Sequence, residues 1–475
     1  MDFSREFGLA PNVIEKDYML GWILAGISHH EELSASWAFK GGTCLKKCYF
    51  ETYRFSEDLD FTLTEAEHQD EDFLVNAFRE IADWIYDASG IEIPRELIRF
   101  DVYKNPRGKT SVQGRIAYRG PLQPGGDPPR MKLDLTDNEV LVADPVNRKV
   151  FHPYSDTPEG GIHVPCYCFE EVFAEKIRAL GERLRPRDLY DVIHLYRHDN
   201  TRQGRELILS ILEAKCSFKG ISVPTMEMLE SKPERAELVS EWENMLGHQV
   251  PVLPPFEQFW QELPEVFEWL YRAVEKAVPS AIPVGRQPVD TSWRVPAMAQ
   301  AWHTKVPLEP IRFAAANHLC VQLYYTDAKG NRKNPIIEPY SLRQTSDGNL
   351  LLYAVKHETG EDRSYRVDRI QSAEVTKISF TPRYAIELSA AGPISSPMTT
   401  MRANGISRTR PLRIKSTVRR PKTFTSSYGP KYVFQCSYCG KRFTHKSNDS
   451  TLNKHKDKHG YPCPGRTGFF VDMKY

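Results

Sequence analysis

The apolar positions of this chain change period several times, and each change marks an element or a boundary. In NVIEKDYMLGWILAGIS, Ile14, Tyr18 and Trp22 recur at helical spacing behind Pro11, a residue suited to a first helical turn. WAFK followed by Gly41-Gly42-Thr43 reads as a strand running into a turn, and RFSEDLDFTL alternates as a half-buried strand. VQGRIAYRG and RMKLDLT keep the strand period, whereas FEEVFAEKIRAL returns to a helical one. Beyond residue 200 the pattern predicts helices broken by prolines, as in FEQFWQELPEVFEWLYRAVEKAV. Residues 278–296 are Pro-rich and read as a linker, and residues 305–390 carry short β-type runs with turn signals at 327–330 and 347–348. No internal repeat is visible. The expected organisation is a mixed helix–strand domain at 1–200, a helical continuation at 201–283 and a linker at 284–304. A small β domain at 305–392, a basic linker at 393–430 and a Cys/His-rich module at 431–475 follow.

Composition changes this picture in two ways. At 475 residues and 40% hydrophobic content the chain has material for roughly three packed domains, and its longest apolar run, nine residues containing two glycines, is far short of the ~20 a spanning helix needs. No membrane partner and no secretory signal are expected, and nine Cys in such a long chain argue against a disulfide scaffold. The formal net charge of +1 hides an asymmetry. Residues 399–475 hold 17 Lys and Arg against three acids, a net of +14, which leaves −13 on the remainder. A basic tail on an acidic body is the pattern of a nucleic-acid-binding appendage.

The candidate chemistry begins at Asp58 and Asp60, two apart on a strand pattern, so both carboxylates leave one face while Leu59 and Phe61 enter the core. Paired carboxylates repel unless a divalent cation neutralises them, and hard oxygen donors suit Mg²⁺. Gly41 and Gly42 allow backbone N–H groups to approach a phosphate, with the Thr43 hydroxyl as a further donor. Asp134, in KLDL on another strand pattern, supplies a third carboxylate for two-metal transfer at phosphorus. Taken singly, a Gly-Gly pair is commonly a turn and Asp-x-Asp commonly a solvated strand face; order and spacing together carry the signal.

FKGGTCLKKCYFETYRFSEDLDFTL resembles the AbiEii/AbiGii toxin family of nucleotidyltransferases, marked by KGGT-x-L and then R-x-S-x-DLDF, and IEKDY is similar to that family's first helix. AEKIRALGERLRPRDLYDVIHL is similar to its second half, which places the family's Lys at Lys176 and its downstream Asp at Asp188, with Asp191 the neighbouring alternative. The resemblance spans roughly residues 5–280. It implies an α+β fold with a polymerase-β-like mixed sheet, an NTP substrate, Mg²⁺ on Asp58 and Asp60, and release of pyrophosphate. It further implies a bacterial cytoplasmic toxin or phage-defence effector, a cognate antitoxin as partner, and an RNA 3′-hydroxyl as acceptor, tRNA foremost. Gly41, Gly42, Thr43 and Lys176 would hold the triphosphate, with Lys176 neutralising charge on the leaving pyrophosphate.

The segment from Tyr324 to Gln371 is similar to the WYL domain, through Pro339-Tyr340-x-Leu342-Arg343 and Arg363-x-Tyr365-Arg366-x-Asp368-Arg369-Ile370. Leu350-Leu351-Leu352 stands in place of the name-giving Trp-Tyr-Leu. The resemblance implies a small SH3-like β-barrel; Arg343, Arg363, Arg366 and Arg369 are then candidates for a phosphate-binding cluster on RNA, DNA or a nucleotide. The alternative is a set of solvated strand faces with ion pairs, for instance to Asp368.

At the C-terminus, Cys436-x2-Cys439-x15-His455-x3-His459 with Phe434, Phe443 and Leu452 resembles a C2H2 zinc finger with a lengthened loop. His459 is the expected fourth Zn²⁺ ligand and Cys463 its rival; the role would be structural. Cys44, Cys48, Cys166, Cys168, Cys216 and Cys320 read as small buried residues. Two other functions fit the same sequence: nucleotidylation of a partner protein, and a non-catalytic nucleic-acid-binding regulator.

Overall fold

Seven short strands with alternating or wholly apolar faces pair into one sheet: β1 (Trp37–Lys40), β2 (Asp58–Leu63), β3 (Arg99–Lys104), β4 (Thr110–Ala117), β5 (Arg130–Thr136), β6 (Val146–Lys149) and β7 (His163–Cys166). Their order is β3-β4-β5-β2-β1-β7-β6, with β1–β7 and β2–β5 parallel and the other neighbours antiparallel, so the sheet is mixed and the class α+β. The structure is a computed structural model that describes residues 2–104, 108, 110–122, 126–198, 201–274, 279–285, 289, 308–388, 431–436, 439, 441–445, 450–455, 462–464 and 467–474. Two compact units result, Met1–Thr399 and Thr400–Tyr475.

Phe39, Leu59, Phe61, Leu133 and Leu135 from the sheet enter a single apolar core with Trp22 and Ile23 of α1 (Pro11–His29) and Phe78 and Ile81 of α2 (Glu71–Ser89). Four further helices, α3 (Phe169–Arg183), α4 (Pro186–Arg197), α5 (Thr201–Lys219) and α6 (Phe256–Arg272), carry the chain from the end of the sheet. Pro264 lies inside α6 rather than breaking it, contrary to the sequence expectation. The buried Phe259, Trp260, Leu263, Val266, Phe267, Trp269 and Leu270 explain this. Each contributes about 1.5–3 kcal/mol of burial, against the roughly 3 kcal/mol an interior proline costs.

The second sheet, β8 (Leu319–Thr326), β9 (Arg332–Lys333), β10 (Ile336–Gln344), β11 (Leu350–Lys356), β12 (Asp362–Arg366) and β13 (Ile370–Ser379), is antiparallel, in the order β12-β11-β10-β8-β13 with β9 on β8. A helix that the strand pattern did not suggest, α7 (Glu309–Ala316), packs on it. Just beyond α7, the Asn317 side-chain oxygen accepts a hydrogen bond from the Tyr190 hydroxyl at 3.0 Å, and Arg312 pairs with Glu51 at 3.1 Å. Both partners belong to the first sheet's domain, and Tyr190 sits on α4 next to Asp191. In the second unit, β14 (Lys431–Cys436) pairs with β15 (Arg442–His445) on one side and β16 (Gly468–Lys474) on the other. Among the described residues no helix is long and apolar enough to cross a membrane.

Candidate active site

The parallel register of β2 and β5 sets Asp60 directly opposite Asp134, and Asp58 opposite Lys132. With Asp58 two residues before Asp60 on the same strand face, three carboxylates from two strands share one side of the sheet. Burial pushes the Asp60 carboxyl up to about 6, against the pull of Lys40 and with the neighbouring Asp134 adding to the rise. Asp58 is raised as well, chiefly by burial. Asp134 accepts from Lys132 Nζ at 2.6 Å and from Gln113 Nε2 at 3.2 Å. Crowded, desolvated carboxylates of this kind fit a hard divalent cation by donor type and by their excess of negative charge.

The glycine turn meets this cluster from β1, whose Lys40 faces Asp60 in antiparallel register. Gly41 has φ +80°, and a Cβ there would fall inside the van der Waals shell of the Asp60 carboxylate. A Cβ on Gly42 would lie 2.5 Å from Arg54 Nη2. Gly41→Ala is therefore expected to lower the thermal unfolding midpoint by several degrees, through about 1–3 kcal/mol of backbone strain plus the clash; calorimetry of the purified variant measures it, and an unchanged midpoint contradicts the geometry. Thr43 corrects the sequence reading. Its hydroxyl donates to the Asp58 backbone carbonyl, so its single hydrogen ties the turn to β2 and is not free for a phosphate.

Lys176 comes up from α3, and its Nζ stands 2.8 Å from Asp191 and 3.7 Å from Asp188. Both acids lie on α4 with no solvent exposure. Both oxygens of Asp188 accept from Arg183, at 2.6 and 2.8 Å. Asp191 accepts from Arg54 Nε at 2.7 Å, Arg54 Nη2 at 2.8 Å and the Tyr53 hydroxyl, and the Arg54 and Lys176 charges hold its carboxyl well below the usual range despite burial. Of the two candidates the sequence left open, Asp191 is the one in hydrogen-bond contact with Lys176. Arg54 and Tyr53 were missed. Arg54 is the arginine of R-x-S-x-DLDF, so its motif position was visible, but its partner lies 137 residues away.

The four arginines of the second sheet are not brought together as one cluster. Arg343 is buried against Glu387, Arg363 pairs with Glu361 at 2.7 Å, and Arg366 pairs with Asp368 at 2.7 Å. Arg363 and Arg366, three apart on β12, leave opposite faces of the sheet. Arg369 lies in the short turn that follows, beside Asp368. Three of the four thus face carboxylates of their own chain.

In the second unit, Cys436, Cys439, His455 and Cys463 present ligand atoms all within 4.8 Å of one another. Cys436 and Cys463 sulfurs are 3.7 Å apart, and Cys439 Sγ is 3.3 Å from His455 Nε2. Ligands at the ~2.0–2.3 Å of a tetrahedral zinc site stand roughly 3.5–3.8 Å from each other, so the set fits Zn²⁺. His455 Nδ1 lies 2.9 Å from the Asn453 carbonyl, which leaves Nε2 for a metal. His459, the expected fourth ligand, lies outside the described residues. Its rival Cys463 lies in the cluster: its backbone N–H donates to the His455 carbonyl at 2.9 Å and folds the Pro-Cys-Pro segment back on the other three. His455 lies outside any helix or strand and β16 follows, so among the described residues the module is a three-stranded sheet with the four ligands beside it.

Comparison with known proteins follows these divisions. Residues 307–375 match the WYL domain model. No curated protein matches the chain. Among solved structures it is similar to MenT4, a nucleotidyltransferase toxin from Mycobacterium tuberculosis H37Rv, at 16% identity and a TM-score of 0.38, covering 57% of this chain and 89% of that one. It is also similar to proteasome accessory factor B/C of Arthrobacter aurescens, at 12% identity and a TM-score of 0.16, covering 80% of this chain and 73% of that one. Residues 22–271, more than half of the chain and including every carboxylate discussed above for the first sheet, match the model of the nucleotidyl transferase AbiEii toxin of Type IV toxin–antitoxin systems, and the chain belongs to that family.

Proposed function

We propose that this nucleotidyltransferase moves a nucleoside monophosphate from an NTP to an RNA 3′-hydroxyl, the tRNA acceptor end foremost, with release of pyrophosphate. The observation that carries the reading is the register of Asp60 opposite Asp134, with Asp58 alongside and the glycine turn against them. Asp58 and Asp60 would hold Mg²⁺, which when bound lowers the pKa of an attacking hydroxyl and shields the triphosphate. The Gly41 and Gly42 backbone cradles the phosphates, and Lys176, held upright by Asp191, neutralises charge on the leaving pyrophosphate. Asp134 stands beside the attacking group to complete the oxygen set or to accept its proton. Asp188 acts at one remove, by fixing Arg183 at the same rim.

Zinc on Cys436, Cys439, His455 and Cys463 would stiffen the second unit, and the basic segment before it would grip nucleic-acid backbone. Removing residues 399–475, or stripping zinc with a chelator, is expected to weaken RNA binding and flatten its salt dependence; unchanged affinity and slope in a filter-binding titration would overturn this role. An antitoxin is the expected protein partner, and the WYL-type sheet the place where a nucleic acid or nucleotide is sensed. Such a ligand would have to displace Glu387 from Arg343.

Each α-labelled NTP, incubated with Mg²⁺, cell extract and the full chain beside Asp58→Ala and Asp60→Ala, tests the reading. Label on RNA that both variants lose supports it. Label on protein moves the acceptor to a partner polypeptide. No label with any nucleotide, and nucleic-acid binding intact in both variants, points instead to a regulator.

A further inference from the structure

A second group of soft ligands lies in the first unit. Cys44 ends the helical turn Gly41–Cys44, Cys48 sits in the π-helical turn Leu45–Tyr49 that continues it, and Cys166 ends β7. The parallel pairing of β1 with β7 sets Cys166 beside Phe39 and so under this turn. All three thiols are buried, and their sulfurs lie within 4.8 Å of one another. We propose that Cys44, Cys48 and Cys166 form a buried three-thiolate site for a divalent soft ion of the zinc and cadmium class.

Two observations support the assignment. Thiolate sulfurs at ~2.3 Å from zinc stand roughly 4 Å apart, so the cluster needs a contraction of under about 1 Å to close on an ion. Charge balances: three thiolates and a divalent cation leave one negative charge, and the Arg148 guanidinium is placed to offset it. Arg148 donates from Nε to the Cys48 carbonyl at 2.8 Å and lies 4.2 Å over the Tyr49 ring.

The location gives the site a consequence. Cys44 follows Thr43 directly, and Thr43 anchors the glycine turn to Asp58. An ion held by Cys44, Cys48 and Cys166 would tie that turn to β7 and stiffen the wall of the carboxylate site. The inference rests on the thiol geometry and does not depend on which substrate the carboxylates serve.

The test counts ions on the full chain, purified with reductant, equilibrated with Zn²⁺ and freed of excess by gel filtration. Elemental analysis gives the stoichiometry, and the thiolate-to-cadmium charge-transfer band follows a parallel Cd²⁺ titration. Two ions are expected on the parent chain, one on Cys166→Ser, one on Cys436→Ser/Cys439→Ser, and none on the triple variant. Cys168→Ser, outside the cluster, stays at two. Cys166→Ala, which keeps an apolar side chain in the core, gives the same loss with unchanged circular dichroism and so separates ligand removal from misfolding. Cys166→Ser retaining two ions overturns the proposal. So does a parent chain with one ion that Cys436→Ser/Cys439→Ser removes, including one in which peptide mass mapping finds Cys166 in a disulfide with Cys44 or Cys48.

Discussion

Asp60→Asn is expected to abolish nucleotidyl transfer, by at least about a thousandfold, while making the protein more stable at neutral pH. The two effects come from one cause. In the fold the Asp60 carboxyl titrates at about 6, pushed up mainly by burial and further by Asp134 and Asp58; an unfolded Asp titrates near 3.9. A carboxyl raised in this way binds its proton more tightly in the native state, so stability falls as pH rises from about 4 to 6, and the penalty is fully present above 6. A rise from near 4 to about 6 corresponds to about 3 kcal/mol, an upper limit because Asp60 is half-buried on its strand face and keeps some access to water. Asn carries no charge to bury and escapes the penalty, but offers no anionic oxygen to a cation or phosphate. Transfer by the parent enzyme should rise with pH through about 6 as Asp60 ionises, with added Mg²⁺ moving that limb to lower pH. Urea unfolding at pH 5 and 7.5 measures the first effect: the gain from Asp60→Asn should be larger at pH 7.5. Equal stability of parent and variant at both pH values would show that Asp60 is not held against its charge.

The local parts of this site were legible in the sequence because they rest on local rules. Alternation in DLDF put Asp58 and Asp60 on one strand face, and a glycine pair after WAFK marked a turn that only a residue tolerant of positive φ can make. What the sequence did not disclose is pairing across distance. Asp134 was a third acid on a strand pattern, but only the β2–β5 register puts it opposite Asp60. Cys166 read as one more small buried residue, and it joins Cys44 and Cys48 only because β7 lies parallel to β1. The same limit explains Arg343, whose charge looked free beside a strand until Glu387, 44 residues later, proved to hold it. His459 lies outside the described residues, and its rival Cys463 reaches the cluster through a segment that spacing alone does not place, with two flanking prolines and a backbone hydrogen bond to the His455 carbonyl.

Asp191 shows how much of the site depends on such distant pairing, and Asp191→Asn is expected to be among the most damaging single substitutions in the chain. Its carboxylate is fully buried, and Arg54, Lys176 and Tyr53 all point at it. With Asn in place, the Arg54 guanidinium keeps its burial and loses its counter-charge while Lys176 keeps only Asp188, at 3.7 Å, and removal of one partner from a buried ion pair costs about 3–5 kcal/mol. The amide also turns an N–H₂ toward one of three donors, where only acceptors are wanted. A fall in the unfolding midpoint on the order of 10 °C should follow. Because the Asp191 carboxyl is held below its usual range, the stability it contributes is present above the unfolded value near 4 and is lost only as pH falls through the lower native one. The deficit of Asp191→Asn relative to the parent should therefore be constant from pH 5 to 8 and shrink under strong acid. Restoring size and removing charge together, as in Arg54→Met with Asp191→Leu, should recover part of the stability, since the Arg54 charge is then gone and Lys176 keeps Asp188 at 3.7 Å. It should not recover transfer, because Lys176 loses the group that aims it. A double variant as unstable as Asp191→Asn alone would mean that packing around Tyr53 and Gln249, not the stranded charge, sets the cost.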